Sequence, residues 1–265
     1  MLELDPIDAV PVPSPAPGFE LSRHTVPLSG LPREANGVTI AQVSDTHRHG
    51  GDVDALLTDA VERINALRPD FVVLTGDFVE RRVADVLPVA RILAGLRPRR
   101  GTFAVVGNHD YTADACLMRS ALSGFGCEVL DNRAVEALPG LWIAGTDDVH
   151  SGSPDLAAAL RQVPTGAATV VLSHNPRAFT QVPADRELLM LSGHTHGGQF
   201  DFLFFPAAWV CWVHLRTRYV HGWYRRGNSR LYVNRGLGTA GSWPLRRRVR
   251  CEPEVSVFHL VAGSE

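Results

Sequence analysis

Short apolar runs alternate with stretches of helical periodicity along the middle of the chain. The run 38–43 is apolar and β-branched, which predicts a buried strand, and the spacing of apolar residues over 53–67 predicts a helix that ends before Pro69. The same patterns predict further strands at 71–74, 102–106, 141–144, 169–172, 188–191, 231–233 and 255–261, and helices at 83–93, 113–122 and 155–160. Strands and helices that alternate with short connections indicate an α/β fold with helices packed on sheets.

The pattern also divides the chain into a tail and a body. Residues 1–18 are rich in proline and predict a disordered tail, whereas 19–265 contain no repeat and no second apolar core, which favours a single domain. The tail lacks the charged and apolar regions of a signal peptide, and no apolar run approaches the roughly 20 residues that span a bilayer. We therefore expect a cytoplasmic protein.

Composition changes this picture little. Apolar residues make up 45% of the chain and the formal net charge is -2, both ordinary for a globular protein. All 26 cationic side chains are arginines. The four cysteines contain no Cys-x-x-Cys pair, which argues against a zinc finger and against a disulfide framework.

Residues of metal-ligating types follow five of the predicted strands. These segments are Asp45-Thr46-His47, Gly76-Asp77, Gly107-Asn108-His109-Asp110, Ser173-His174 and Gly193-His194-Thr195-His196. In α/β folds, sites form beyond the carboxyl ends of the strands, so the five segments are expected to meet. Two metal ions about 3.5–4 Å apart activate water and neutralise phosphate oxygens. The sequence thus predicts a two-metal hydrolytic centre.

In their order and spacing, from about 39 to 199, the five segments resemble the signature of the calcineurin-like metallophosphoesterases. Two further segments, Gly197-Gly198-Gln199 and Asn234-Arg235-Gly236-Leu237-Gly238, are similar to the bacterial branch of YkuE- and YaeI-like phosphohydrolases. The resemblance implies a four-layer sandwich of two facing mixed β-sheets flanked by helices. It also implies two metal ions, of Mn, Fe or Zn, and hydrolysis of a phosphate ester by metal-bound hydroxide.

The resemblance further implies a role for each residue of the signature. The implied metal ligands are Asp45, His47 and His196 for the first ion, Asn108, His174 and His194 for the second, and Asp77 as the bridge. His109 is implied as the general acid toward the leaving oxygen or as a group that steadies the transition state. Asp110 is then expected to orient His109 by a hydrogen bond.

Residues outside the signature leave alternatives open. Arg48 stands where the family usually has an apolar residue, and it either reaches a substrate phosphate or is solvated. Five other histidines lack neighbouring donors and are predicted to be structural: His24, His150, His214, His221 and His259.

The C-terminal third is unusually rich in arginine. Between Asp201 and Glu252 there are ten arginines and no acidic residue, and an apolar, aromatic block over 202–213 precedes them. One interpretation is a loop over the sheet with a solvated arginine face. The other is peripheral contact with an anionic membrane through 200–250, at the inner membrane surface. Nucleic acid is less favoured, because the apolar residues do not interleave with the charges.

These observations predict a dinuclear metal-dependent phosphoesterase that hydrolyses a phosphate mono- or diester, with a lipid-linked or other large anionic substrate favoured. A nucleotide or nucleic-acid phosphodiesterase is the alternative enzyme. A non-catalytic scaffold of the same fold is the alternative without chemistry, and it is disfavoured because no residue of the signature is missing.

Overall fold

The computed structural model describes residues 18–199, 211, 215–241 and 247–263. Its strands are β1 (Glu20–Leu28), β2 (Thr39–Val43), β3 (Phe71–Thr75), β4 (Gly101–Val105), β5 (Cys127–Val129), β6 (Arg133–Leu138), β7 (Leu141–Gly145), β8 (Ala168–Leu172), β9 (Leu189–Ser192), β10 (Gly222–Arg226), β11 (Ser229–Val233) and β12 (Glu254–Ala262). Its α-helices are α1 (Gly51–Leu67), α2 (Val86–Leu93), α3 (Asn108–Ala113), α4 (Ala115–Gly124) and α5 (Leu156–Leu160). Short 3₁₀ helices occupy Arg33–Ala35, Val83–Asp85, Pro176–Gln181 and His196–Gly198.

The strands form two six-stranded mixed sheets. The first has the order β1-β12-β2-β3-β4-β5 and the second the order β10-β11-β9-β8-β7-β6. Strands β2 to β5 run parallel, as do β7, β8, β9 and β11, while β12 is antiparallel to β2 and β6 and β10 are antiparallel to their neighbours. Parallel strands bring their carboxyl ends to one edge of each sheet.

Alternate residues of the central strands face different cores. Ile40 of β2 and Phe71 of β3 pack between the sheets, against residues such as Leu172 of β8. Their neighbours Ala41 and Val72 pack on the other face, against α1, α2 and α4. Because both faces are covered, these strands are largely apolar. A third core lies between the second sheet and α5. The layers are therefore helices, sheet, sheet and helix, which confirms the predicted four-layer sandwich.

Several elements differ from the sequence prediction. The helix expected over 83–93 begins with a 3₁₀ turn, and the helix expected over 113–122 follows a separate short helix, α3. Asp114 separates the two, because its carboxylate accepts the Leu117 N–H at 2.9 Å and caps α4. Strand β1 was not predicted, since two of its buried positions are the polar residues Ser22 and His24.

Two predictions fall largely outside the described residues. Of the proposed tail only Gly18 is described, and of the apolar block over 202–213 only Cys211 is described. Both therefore stay predictions. Within the described ranges, none of the helices combines the length and the apolar character that crossing a bilayer requires.

Candidate metal centre

The loops after five strands meet at one edge of the sandwich. They follow β2, β3 and β4 of the first sheet and β8 and β9 of the second. The first two loops remain bonded side by side, because Asp45 N–H donates to the Gly76 carbonyl at 2.9 Å and His47 N–H to the Asp77 carbonyl at 3.0 Å. The parallel pairing of β2 and β3 thus continues into the loops that follow them, and this brings the predicted donors of the two loops together.

Five of the predicted donors have a left-handed backbone. The φ angles are 50° at Asp45, 41° at His47, 54° at Asp77, 73° at His194 and 53° at His196. Residues other than glycine rarely adopt such angles, and these conformations concentrate at functional sites. The glycine that precedes His194 meets a different constraint, since a Cβ at Gly193 would lie 2.0 Å from Asp45 Oδ2.

The first cluster consists of Asp45, His47 and His196, whose donor atoms all lie within 4.8 Å of one another. The Nε2 atoms of the two histidines are 2.9 Å apart, and His196 Nε2 lies 3.5 Å from Asp45 Oδ1. Asp45 itself is held by Ser44 Oγ and by the His194 N–H at 3.0 Å. All three donor residues of the first cluster are buried.

The second cluster consists of Asp77, His174 and His194, again within 4.8 Å, with Asn108 beside it. His174 Nε2 lies 3.1 Å from Asp77 Oδ2, 3.2 Å from Asn108 Oδ1 and 3.2 Å from His194 Nδ1. Asp77 joins the two clusters, because the same Oδ2 atom is 3.5 Å from His47 Nε2.

The donor atoms fit a cation. His174 Nδ1 donates to the Thr75 carbonyl at 2.8 Å, so the Nε2 of a neutral ring carries a lone pair that faces the carboxylate of Asp77. Two electron-rich atoms at this distance repel each other unless a proton or a metal ion lies between them. The donors are nitrogen and oxygen without thiolate, which suits Mn, Fe or Zn and selects none of them.

Electrostatics agree with this fit. Burial lowers the pKa of His174, but the carboxylate of Asp77 outweighs burial and raises it well above the usual value. Burial likewise opposes the charged form of His47, yet the carboxylates of Asp45 and Glu80 raise its pKa to about 9. By contrast, burial and the neighbouring His174 lower the pKa of His194 to about 3. The field of the carboxylates therefore favours positive charge between the rings.

Glu80 is a site residue that the sequence reasoning missed. Its Oε2 accepts from His47 Nδ1 at 2.6 Å, and its backbone carbonyl accepts from His109 Nδ1 at 2.6 Å. Glu80 thereby positions both a first-cluster donor and the predicted general acid. The signal available in the sequence was its position three residues after Asp77. In the structure the preceding residue, Val79, forms a β-bridge with Arg48.

The expected hydrogen bond from Asp110 to His109 is wrong. The Asp110 carboxylate instead accepts the backbone N–H groups of Gly107, Asp77 and Phe78, at 2.8–2.9 Å. The two residues are consecutive in α3, and neighbouring helical positions do not face each other. Burial and the nearby Asp77 raise the pKa of Asp110 to about 7. Asp110 thus ties the loops after β3 and β4 together.

Arg248 and the loop over 234–238 form the wall behind the first cluster. Arg248 Nη2 lies 3.3 Å from His196 Nδ1 and donates to the Arg235 and Gly236 carbonyls at 2.7 and 2.9 Å. Gly236 has a φ of 74°, and a Cβ there would lie 2.5 Å from the Cβ of Asp45. The loop over 234–238 thus lies at the site, and the sequence did not single out Arg248.

Arg48 takes neither of its two expected roles. It forms ion pairs with Asp54, at 2.7 Å, and with Asp85, and its side chain is only 11% exposed. The guanidinium therefore ties the loop after β2 to α1 and to the turn before α2.

A cavity of about 500 Å³ opens beside the second cluster. Two of its lining residues, Asn108 and His194, are predicted ligands of the second metal. The others are His150, Asn175, Arg177, Leu215 and Arg216. His150 was predicted to be structural, but its place at this cavity puts it next to the candidate metal centre.

Sequence comparison agrees with the fold and with the donor set. Residues 38–198 match the family model described as calcineurin-like phosphoesterase. This match covers more than half of the chain and contains every predicted ligand. The chain therefore belongs to the calcineurin-like phosphoesterase family.

Proteins from bacteria and from a vertebrate are similar in sequence to this chain. YkuE of Bacillus subtilis (strain 168), an uncharacterised metallophosphoesterase, is 30% identical over 252 residues, covering 91% of this chain and 85% of that protein. YkoQ of the same organism is 28% identical and covers 88% of this chain and 86% of that protein. A Danio rerio transmembrane protein with a metallophosphoesterase domain is 31% identical over 86% of this chain, which spans about half (54%) of that relative's length.

Proposed function

We propose that the protein hydrolyses a phosphate mono- or diester at a pair of metal ions. One observation carries the proposal: the carboxylate of Asp77 lies between two clusters of donors, 3.5 Å from His47 Nε2 and 3.1 Å from His174 Nε2. Asp45, His47 and His196 would hold one ion, and Asn108, His174 and His194 the other. Mn, Fe and Zn all suit these ligands.

A bound metal pair would supply a strongly acidified water and positive charge for the phosphate oxygens. The chain itself would supply the proton for the leaving group. In its protonated form His109 is suited to this role, because its Nδ1 donates to the Glu80 carbonyl and its Nε2–H would be the proton given to the leaving group. The His109 ring packs edge-on against His47, with the centroids 4.6 Å apart, so the acid stands directly beside the first cluster.

A large anionic substrate, such as a lipid-linked phosphate, is the class that we favour. The cavity of about 500 Å³ lies within the range of roughly 300–1,000 Å³ that is typical of small-molecule pockets, well beyond the needs of a phosphate group alone. Arginines at its rim would favour an anion over a neutral ligand.

The first experiment is to measure metal content by mass spectrometry together with hydrolysis of bis-p-nitrophenyl phosphate and p-nitrophenyl phosphate, before and after addition of Mn²⁺. We expect about two ions per chain and metal-dependent turnover. The faster ester indicates the substrate class. Turnover of short oligonucleotides but not of lipid phosphates would favour the nucleic-acid alternative. Absence of both metal and turnover after reconstitution would leave only the scaffold alternative.

Peripheral membrane contact through 200–250 is a separate proposal. Flotation with anionic liposomes compares the wild type with a Trp209→Ser/Trp212→Ser variant. We expect recovery with the liposomes to fall in the variant, because basic residues and an apolar block hold a protein at an anionic surface together. Equal and negligible recovery of both proteins contradicts this proposal and leaves the hydrolytic one untouched.

A further inference from the structure

The cavity beside the second cluster carries a concentration of positive charge. Arg177, Arg216 and His150 line it together with Asn108 and His194, and among the lining residues that the structure describes none is acidic. Two divalent metal ions at the clusters would offset the buried carboxylates of Asp45, Asp77, Glu80 and Asp148, which leaves the charge of the two arginines in excess. Such a cavity favours ligands with more negative charge than one phosphate group brings.

The two cavity arginines differ from Arg48 and Arg235, two other arginines near the metal centre. Arg48 and Arg235 are both neutralised, the first by Asp54 and Asp85 and the second by glutamates at 2.6 and 3.1 Å. Arg177 and Arg216 are exposed, and over the described part of the chain neither forms an ion pair with a carboxylate. A guanidinium without a partner beside a cationic centre is free to form two parallel hydrogen bonds with an incoming phosphate or carboxylate.

The backbone at Arg177 is held in place by a hydrogen bond. Arg177 lies in the 3₁₀ helix Pro176–Gln181, which begins four residues after the end of β8 and two residues after the proposed ligand His174. The side chain of Asn175 is buried and accepts the Arg177 N–H at 3.0 Å, which caps this helix. Because His174 and Arg177 share one short loop, the loop that supplies a metal ligand also supplies a cation to the cavity.

Arg216 reaches the same cavity from another part of the chain. Its backbone is left-handed, with a φ of 50°, and its neighbours Leu215 and Thr217 both donate N–H bonds to the Cys211 carbonyl, at 3.0 and 3.3 Å. His150 completes the set from the segment after β7, and it lines the same cavity as His194. Two arginines and a histidine from three separate segments thus line one cavity.

From this arrangement we infer that Arg177, Arg216 and His150 form a second anion site, which selects phosphate esters whose alcohol part carries another phosphate or a carboxylate. The inference rests on the proposed phosphoesterase function and narrows its substrate class. The scissile phosphate lies at the metal centre, and the second anion lies in the cavity between the two arginines. A substrate with one phosphate and no other charge leaves these arginines without a partner.

Isothermal titration calorimetry at constant ionic strength tests this inference with two matched pairs of ligands. Fructose 1,6-bisphosphate against fructose 6-phosphate reports on a second phosphate, and 3-phosphoglycerate against glycerol 3-phosphate reports on a carboxylate. We expect Mn²⁺-loaded wild-type protein to bind at least one doubly anionic ligand about tenfold tighter than its partner, which is the effect of one good charge-assisted contact. The pair with the larger ratio identifies the second anion.

The variant is Arg177→Gln/Arg216→Gln, in which we expect the ratio to fall to near one. Its matched control is Arg33→Gln/Arg161→Gln, which removes two exposed arginines that precede the amino ends of β2 and β8, away from the metal ligands. The control keeps the wild-type ratio, and thermal melts show whether both variants are folded. An equal ratio in wild type and in the Arg177→Gln/Arg216→Gln variant overturns the inference, as does a wild-type ratio near one for both ligand pairs.

Two further measurements separate this inference from the proposed function. The titrations are repeated on protein stripped of metal, where the preference for two anionic groups persists if it comes from the arginines. Hydrolysis of bis-p-nitrophenyl phosphate is followed in parallel. A preference that the two substitutions abolish, together with no turnover by the wild type, keeps the anion site and rejects the phosphoesterase. Turnover without any preference keeps the phosphoesterase and rejects the anion site.

Discussion

The two clusters of the candidate metal centre are built from similar donors but differ in their surroundings. Asp45 and His47 of the first cluster are fully buried, and His196 is 5% exposed. Around the second cluster, His174 is buried, whereas Asn108 and His194 are partly exposed and line the cavity. We therefore expect the first cluster to retain its metal and the second to exchange metal and to meet the substrate.

The groups that orient the histidines differ in the same way. Side chains hold the rings of the first cluster, with Glu80 on His47 Nδ1 and Arg248 near His196 Nδ1. A backbone carbonyl, that of Thr75, holds His174 in the second. We therefore expect single substitutions outside the ligands to change metal affinity at the first cluster. At the second cluster the orientation of His174 depends on the backbone at the end of β3.

Removal of Asp77, which joins the clusters, should have the largest effect. In Asp77→Asn we expect both ions to bind weakly and metal-dependent turnover to fall by about 10³-fold or more, because the joining carboxylate loses its charge. Mass spectrometry of the metal content and the bis-p-nitrophenyl phosphate assay check this. An unchanged rate in this variant means that the activity belongs to a contaminant.

His109→Ala separates chemistry from metal binding. We expect kcat to fall by about 10²–10⁴-fold with an unchanged metal content, since the ring would transfer a proton without holding an ion. The matched control is His259→Ala, an exposed histidine on β12, which leaves the rate as in the wild type. Loss of metal in His109→Ala would instead make this residue a ligand.

Glu80→Gln probes the difference between the clusters directly. Partners of ligating histidines typically contribute 10–100-fold to metal affinity, so we expect one of two binding steps to weaken by about that factor. A chelator-competition titration resolves the two steps, with the exposed Glu34→Gln as the control. Equal weakening of both steps would show that the two clusters do not bind metal independently.

We expect substitution of Glu254, which lies behind the first cluster, to have the smallest effect on turnover. Its main effect is expected on the free energy of unfolding. Burial opposes ionisation, but Arg235 and the Ser22 and Tyr232 hydroxyls lower the pKa of Glu254 from 4.5 to about 2. A depressed carboxyl pKa adds stability above pH 4.5, and this contribution disappears as the pH falls toward 2. The magnitude is on the order of 3 kcal/mol.

Urea unfolding of metal-free wild type and Glu254→Gln measures this contribution. We expect a large loss of unfolding free energy in the variant at pH 6 and a clearly smaller loss at pH 3. A difference between the two proteins that does not change with pH would show that Glu254 acts through its shape and not through its charge.

The features that could be predicted from the sequence were those that depend on neighbouring residues along the chain. The metal-ligating residue types stand directly after apolar runs, so both the donors and the buried central strands could be recognised in the sequence. Glu80 and Arg248 were missed because their roles depend on where distant loops meet; Arg248 follows His196 by 52 residues. Asp110 was misassigned because adjacency in the sequence does not mean adjacency of side chains in a helix.

The left-handed backbone at five donor positions has an evolutionary consequence. Glycine would adopt each of these conformations more easily, by about 1 kcal/mol per residue, so selection for folding alone works against the side chains that stand there. A descendant released from its chemistry should drift to glycine at these positions and become more stable. Aspartate and histidine at these five positions are therefore residues that the proposed metal centre needs and that folding alone does not favour.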